Sequence, residues 1–129
     1  MTDREEHLET VAANLGIGSY RRHVLLCTGP NCCTPEEGMR AWDVLKSQIK
    51  EHNLGTGEHA CYRTKVGCLR ICVHGPTMVV YPEGTWYHGM TADKIPHFVQ
   101  QHLLNGTPVE EWVFAANPLP STLDEKTHE

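Results

Sequence analysis

The apolar residues of this chain follow helical spacing in some segments and strand-like spacing in others. Apolar positions three and four apart within residues 3–15 predict a short amphipathic helix. The apolar run at 23–26 predicts a buried strand that ends at Cys27. Thr34, Pro35 and Glu37 supply an N-cap hydroxyl, a proline at the first helical position and a glutamate at the third. We therefore predict a helix from Thr34 to about residue 53.

The second half of the chain shows strand-like patterns before a last helix. Residues 59–66 alternate between two faces, which predicts a second strand. Residues 78–81 and 85–87 flank Pro82-Glu83-Gly84, which predicts an antiparallel hairpin around a tight turn. Thr91 can cap a final helix. The inward-facing residues of that helix are predicted to be Ile95, Phe98, Val99, His102 and Leu103.

These elements occur in the order strand, helix, strand, and then strand, strand, helix. A crossover helix between the first two strands implies that these strands lie parallel to each other. We predict an α/β fold of the thioredoxin-like kind, with a four-stranded mixed sheet and an extra N-terminal helix. The predicted organisation is a leader helix at 1–19, one domain at 20–114 and a C-terminal tail at 115–129 with little structure.

Composition and charge narrow the class of protein. The 129 residues suit a single domain, and no run approaches the roughly 18 apolar residues that a membrane helix needs. The first ten residues, MTDREEHLET, are charged and lack the apolar stretch of a secretory signal, so we expect a cytoplasmic protein. A formal net charge of -5 argues against nucleic acid as a partner and favours a basic protein partner.

Six cysteines in a reducing compartment favour metal binding or thiol chemistry over disulfide bonds. Four of them form two spaced pairs, C-x4-C at Cys27 and Cys32 and C-x3-C at Cys68 and Cys72. Each pair follows a predicted strand, and the two strands are predicted neighbours, so both loops should open at the same end of the sheet. Thiolates shared between two irons tolerate longer loops than the C-x2-C that grips one zinc, so the spacing favours a 2Fe-2S cluster.

Three glycines flank these cysteines. A reduced cluster carries excess negative charge, so its sulfurs need backbone N–H donors close by. Gly29, Gly67 and Gly75 lack the Cβ that would keep the chain at a distance. We therefore expect close backbone packing at these three positions.

Two other cysteines and one histidine leave alternatives open. Cys33 follows Cys32 directly, so a C-x5-C spacing is also available, although we favour Cys32. Cys61 lies within a predicted strand, where we expect it to pack as a small apolar side chain. His74, two residues beyond Cys72, is expected to be an ordinary loop residue or a hydrogen-bond donor beside the cluster, and not a ligand, because Rieske ligation needs two histidines and fewer cysteines.

The motifs together resemble the thioredoxin-like 2Fe-2S ferredoxins, whose relatives include the small iron-sulfur subunit of respiratory NADH dehydrogenase. The resemblance covers about residues 23–104. It rests on C-x4-C after the first strand, Gly-Cys-Leu-Arg-Ile-Cys-Val-His-Gly-Pro after the second, and Val-Val-Tyr-Pro-Glu-Gly-Thr-Trp-Tyr in the hairpin. It implies one 2Fe-2S cluster per chain, low-potential one-electron transfer and a homodimer. By motif match, the ligands that it implies are Cys27, Cys32, Cys68 and Cys72.

We therefore expect a ferredoxin that carries single electrons between protein partners, a reductase and an acceptor, and that is not an enzyme. An iron-sulfur redox sensor or a cluster-transfer protein is the alternative, and the sequence does not separate these from a carrier. A thiol-disulfide oxidoreductase is disfavoured, because that chemistry uses a C-x-x-C pair and no two cysteines here have that spacing.

Overall fold

The computed structural model describes residues 2–71 and 73–120 of the chain. Its centre is one mixed sheet with the strand order β2-β1-β3-β4-β5. The strands are β1 (Arg22–Cys27), β2 (Cys61–Val66), β3 (Met78–Tyr81), β4 (Thr85–Tyr87) and β5 (Val113–Ala116). β1 and β2 run parallel, and the other neighbouring pairs run antiparallel. The predicted parallel pair and antiparallel hairpin are both confirmed.

Helices form at the three predicted places. α1 spans Asp3–Asn14 and α2 spans Pro35–Glu51. The predicted capping box at the start of α2 is present, because Glu37 N–H donates to the Thr34 hydroxyl and Thr34 N–H donates to the Glu37 carboxylate. The last helix, which we call α3, consists of a 3₁₀ turn at Ala92–Lys94, an α-helical turn at Ile95–Phe98 and a π-helical segment at Val99–Leu104. Among residues 2–71 and 73–120, no helix combines the length and the apolar character that crossing a bilayer requires.

One hydrophobic core joins α2 and α3 to the same face of the sheet. Val24 and Leu26 of β1 point into this core beside Met78 and Val80 of β3, so alternate strand residues face the helices. All five residues predicted to face inward from the last helix are buried, namely Ile95, Phe98, Val99, His102 and Leu103. On the opposite face of the sheet His23, Leu25 and Tyr62 are partly exposed, whereas Val79 is buried.

The sheet has five strands instead of the four predicted. β5 pairs with β4, with a shift in register between Trp86 and Tyr87. Three of the four β5 residues are exposed, so no apolar alternation marks this strand in the sequence. β5 also runs to Ala116, two residues into the segment where little structure was predicted. Beyond β5, Asn117 N–H donates to Gly84 O at 2.7 Å and Leu119 N–H donates to Pro82 O at 2.9 Å, so the described start of the predicted tail is held against the β3–β4 turn. The tail from residue 121 onward lies outside the described residues.

The leader helix α1 forms but contributes no buried residue. Its N-terminus is capped by Thr2, whose hydroxyl accepts a hydrogen bond from Glu5 N–H at 3.2 Å. Its apolar residues are exposed, with Leu8 at 65% and Leu15, just beyond its end, at 49%. The core therefore does not depend on this helix.

Candidate metal centre

Two cysteine sulfurs lie in contact at the carboxyl end of β1. Cys27 is the last residue of the strand and is 2% exposed, and its N–H donates to Thr77 O at 2.9 Å. The loop that follows brings back Cys32, which is 8% exposed, so the two Sγ atoms are 2.6 Å apart. The structure thus brings the predicted C-x4-C pair together in a buried position.

Close backbone packing holds this first loop in place. Gly29 has a φ of +91°, and a Cβ there would lie 2.5 Å from Cys33 O. At the start of α2, a Cβ on Gly38 would lie 2.5 Å from Thr28 O. Gly38 was not identified from the sequence, because a glycine early in a helix gives no sign of what it contacts elsewhere in the fold. Both positions therefore require glycine for the loop to keep this path.

The second cysteine loop begins beside the first. Gly67 follows β2 directly, and its carbonyl oxygen lies 4.0 Å from Cys27 Sγ. Cys68 is exposed, and its Sγ accepts a hydrogen bond from Arg70 N–H at 3.2 Å. The backbone of Arg70 has a φ of +71°, which is unusual for a residue with a side chain. A backbone donor to a cysteine sulfur is the kind of contact expected next to an iron-sulfur cluster.

Cys72 lies outside the described residues, but the chain just beyond it contacts the first loop. Gly75 N–H donates to Cys32 O at 2.9 Å. A Cβ on Gly75 would overlap Cys32 O, so close packing is confirmed at this glycine and at Gly29. The prediction of close packing is wrong at Gly67, where a Cβ would meet no atom within 4 Å. The two loops therefore contact each other on both sides of the second cysteine pair.

The remaining predicted residues fall into different surroundings. Cys33 is partly buried, and its Sγ lies 3.8 Å from that of Cys32, so the alternative C-x5-C spacing stays open. His74 is exposed, and its backbone oxygen accepts a hydrogen bond from Gly89 N–H at 2.6 Å. Within residues 2–71 and 73–120, no three Cys, His, Asp or Glu side chains are grouped to hold a metal ion.

Cys61 is set apart from this group. It pairs with Arg22 at the start of β1, whereas Cys27 ends that strand and pairs with Val66. Five residues of strand correspond to about 16 Å. Cys61 is part of the hydrophobic core, and its burial raises the pKa of its thiol to about 12. The packing role predicted for Cys61 is confirmed.

Burial also acts on the cysteines of the first loop. Desolvation raises the pKa of Cys27, and its hydrogen bond with Cys32 raises it further. Desolvation likewise raises the pKa of Cys33. These groups are therefore thiols at neutral pH unless a nearby positive charge stabilises the thiolate. A metal ion supplies such a charge and displaces the proton.

Known 2Fe-2S ferredoxins are similar to this chain in sequence. No protein-family model matches the chain. A protein of Priestia megaterium assigned to the 2Fe-2S ferredoxins is 33% identical over 96 residues, which make up 74% of this chain and 71% of the relative. The chain belongs to the 2Fe-2S ferredoxins. A 2Fe-2S ferredoxin of Clostridium pasteurianum is 29% identical to it over 94 residues, 70% of this ferredoxin and 92% of the relative.

Solved structures agree with this assignment. A thioredoxin-like [2Fe-2S] ferredoxin from Aquifex aeolicus superposes on this ferredoxin with a TM-score of 0.67 at 25% sequence identity. The match covers 99% of the Aquifex chain and 81% of this one. A second structure of the same Aquifex protein gives a TM-score of 0.66 at 26% identity. The predicted thioredoxin-like fold is therefore confirmed.

The described residues of this ferredoxin fit a cluster in the chemistry of their donors, although the Cys68 sulfur is not grouped with those of Cys27 and Cys32 among the described residues. The donor set is composed of thiols, with Cys27 and Cys32 in contact and the loop of Cys68 alongside. The backbone packs closely against this loop at Gly29 and Gly75, and Cys27 and Cys32 are buried within it. Four thiolate ligands are what a 2Fe-2S cluster requires.

Proposed function

We propose that this ferredoxin binds one 2Fe-2S cluster through Cys27, Cys32, Cys68 and Cys72 and carries one electron at a time between two protein partners, a reductase and an acceptor. The observation that carries the proposal is the contact between the Sγ atoms of Cys27 and Cys32, 2.6 Å apart, beside the loop that bears Cys68. When bound, the cluster supplies reversible one-electron chemistry.

The protein itself positions the cysteine sulfurs, buries two of them and donates a backbone hydrogen bond to a third. Cys27 and Cys32 are buried, so water is kept from their side of the centre. Cys68 is exposed and accepts the N–H of Arg70, which stabilises negative charge on that sulfur. The two sides of the centre therefore differ in their access to solvent, and a partner can approach the side of Cys68.

We infer that the protein is not an enzyme, because one-electron exchange needs only that the cluster be held and reached. We also infer a cytoplasmic setting, where thiols stay reduced until iron binds. Carrier function is favoured over sensing or cluster transfer, because backbone packing at Gly29 and Gly75 fixes the first loop tightly. A loop that releases its cluster needs freedom that this packing denies.

A homodimer forms part of the proposal. The sheet face opposite α2 and α3 carries an aromatic group in which Tyr20 and Tyr62 stack at 5.2 Å between ring centroids and His23 packs edge-on at 5.1 Å from Tyr62. All three side chains are partly exposed. Packing this face against a second copy would bury aromatic surface of the kind enriched at subunit interfaces. Sedimentation of the protein should give a dimer mass, and Tyr62→Glu should shift the protein to monomer.

The test of the cluster begins with protein purified without oxygen. It should be red-brown, show charge-transfer bands in the visible spectrum and contain about two irons per chain. Cys27→Ala and Cys68→Ala should each abolish this spectrum. Cys61→Ala is the matched control, since Cys61 begins β2 and pairs with Arg22 at the end of β1 away from Cys27, and it should keep both colour and iron content. A colourless protein that holds a single zinc ion would refute the proposal.

A further inference from the structure

The net negative charge of the chain comes entirely from its two ends. Residues 1–20 hold four acidic and one basic side chain, counting Asp, Glu, Lys and Arg. Residues 121–129 hold three acidic and one basic. The intervening segment, 21–120, holds nine of each and is neutral. The charge that a partner meets near the cysteine loops is therefore set by local placement and not by the total of -5.

The segment that carries the second cysteine pair is basic. Between residues 59 and 82 the sequence has no Asp or Glu, but it has Arg63, Lys65 and Arg70. β2 is an edge strand of the sheet. Arg63 and Lys65 lie on its helix-bearing face, because their partners in β1, Val24 and Leu26, point into the core. On this face Arg63 is partly exposed and Lys65 is exposed.

Side chains of α2 continue the same positive surface. Lys46 and Lys50, one turn apart, line an open groove of about 720 Å³ together with Arg63. The Arg63 guanidinium lies 5.2 Å from the centre of the Trp42 ring, which holds it in place at the groove. Asp43 also lines the groove and pairs with Lys46 at 3.4 Å. The groove therefore keeps a surplus of positive charge.

This surface leads to the exposed side of the metal centre. Lys65 is exposed and stands three residues before Cys68, and Arg70 is exposed two residues after it. The Arg70 backbone reaches the Cys68 sulfur through its N–H at 3.2 Å. We name the five residues Lys46, Lys50, Arg63, Lys65 and Arg70 the basic edge. Along the chain it extends from Arg63, which lines the groove beside α2, through Lys65 on the same face of β2 to Arg70 next to Cys68, the most exposed cysteine of the described centre.

We propose that the basic edge is the docking surface for the redox partner, and that this partner is a protein with an acidic contact face. The proposal rests on the proposed function, because it assumes that electrons pass near Cys68. It reverses the expectation of a basic partner drawn from the net charge, since the negative surplus lies in the terminal segments. Complementary charge steers a partner to this side and sets the encounter rate.

Small charged oxidants can replace the unidentified partner in a direct test. Reduced, cluster-loaded protein is mixed with ferricyanide, an anion, or with hexaamminecobalt(III), a cation, and the rate of cluster oxidation is measured. The double variant Lys65→Gln/Arg70→Asn should slow oxidation by ferricyanide about fivefold at 0.1 M salt and speed oxidation by the cobalt complex. The control Arg4→Gln/Arg21→Gln removes the same charge outside the basic edge, from α1 and from the residue before β1, and should change either rate less than twofold.

The opposite signs for the two oxidants separate charge from damage, because a distorted centre would change both rates in the same direction. Equal effects of the two double variants, or no effect of the first, would overturn the proposal. Iron content is measured for every variant, so failure to bind a cluster is recognised separately.

A second measurement does not need the cluster. Hexacyanochromate(III), an inert paramagnetic anion, should broaden the NMR signals of Lys46, Lys50 and Arg63 more than those of Arg4, Arg21 and Arg22. Broadening centred on the latter group, or spread evenly over all cations, would equally overturn the proposal.

Discussion

The Tyr87 hydroxyl and His102 Nδ1 form a 2.7 Å hydrogen bond inside the hydrophobic core, where both residues are fully buried. Val109 N–H donates to the same hydroxyl at 3.0 Å, which leaves the hydroxyl hydrogen free for Nδ1. His102 Nε2 then carries the ring hydrogen and faces Glu83 Oε2 at 3.1 Å. Arg22 Nε completes the chain at 2.6 Å from that same oxygen. This network links β1, β4 and α3, and it runs from Tyr87, which lies level with Met78 and Leu26, to Arg22 at the start of β1.

Tyr87→Phe should destabilise the fold without touching the metal centre. The variant keeps the ring but leaves His102 Nδ1 and Val109 N–H without a partner in the core, which should cost about 1–3 kcal/mol of unfolding free energy. Urea unfolding of cluster-loaded protein measures the change. Tyr81→Phe is the control, because Tyr81 is partly exposed, and it should cost less than about 0.5 kcal/mol. Equal losses in both variants would contradict the role assigned to the network.

Stability should fall as the pH drops below about 6.5 because of His102. Burial lowers the pKa of His102 from its ordinary 6.5, although Glu83 partly opposes this. Below that pH the unfolded chain binds a proton that the folded protein does not take up, so acid favours unfolding. The unfolding free energy measured at pH 7.5, 6.5 and 5.5 should decline. His102→Gln should flatten this decline, whereas His97→Gln, on the exposed side of α3, should leave it unchanged.

Glu83 should extend the acid sensitivity to lower pH. Burial opposes its ionisation, but hydrogen bonds from Arg22 and His102 outweigh burial and lower the pKa of Glu83 below its ordinary 4.5. A carboxylate with a lowered pKa stabilises the fold above its unfolded pKa, and this stabilisation is lost as the pH falls through the folded value. Glu83→Gln should therefore lower stability at pH 6 and have less effect at pH 3.5. An equal loss at both pH values would contradict this assignment.

Gly75→Ala should weaken cluster binding. The added Cβ would overlap Cys32 O and break the 2.9 Å hydrogen bond from Gly75 N–H to that oxygen, so the first loop must move. We expect lower iron content and a loss of about 1–3 kcal/mol in unfolding free energy. Gly55→Ala is the matched control, since a Cβ there meets no atom within 4 Å, and it should keep full iron content. Full iron content in both variants would show that the contact is dispensable.

Single alanine variants of the adjacent residues Cys32 and Cys33 should show which of the two is the cluster ligand. Cys32 is the more buried and its Sγ touches that of Cys27, so Cys32→Ala should remove or alter the cluster spectrum. Cys33→Ala should leave the spectrum as it is. The opposite result would assign the ligand to Cys33, whose Sγ lies 3.8 Å from that of Cys32.

Much of this fold follows from local signals in the sequence. The capping box at Thr34 fixes the start of α2, and the apolar run before Cys27 fixes β1, because each depends on residues close together in the chain. β5 was missed because its exposed residues carry no apolar alternation and main-chain pairing with β4 holds it. Local pattern does not encode such pairing.

In the candidate site too, some features follow from local sequence and others depend on the folded structure. The spacing of the cysteines predicts which strand ends carry them, but the closeness of Gly38 to Thr28 depends on how α2 packs after folding. The left-handed backbone of Arg70, which directs its N–H toward Cys68 Sγ, also has no sequence signal, because arginine rarely adopts that conformation. Similarly, the net charge did not predict the basic edge, because it adds the terminal segments to a neutral domain.

Because of the strand order, the two outer edges, or rims, of the sheet lie at different distances from Cys27, and electron tunnelling depends on that distance. β1, which ends in Cys27, is next to the rim formed by β2 but three strand spacings from the rim formed by β5. At about 4.8 Å per spacing, an electron leaving by the β5 rim would cross about 14 Å of protein. Tunnelling rates fall exponentially with distance, so a molecule bound at that rim would be a poor donor or acceptor even if it bound tightly.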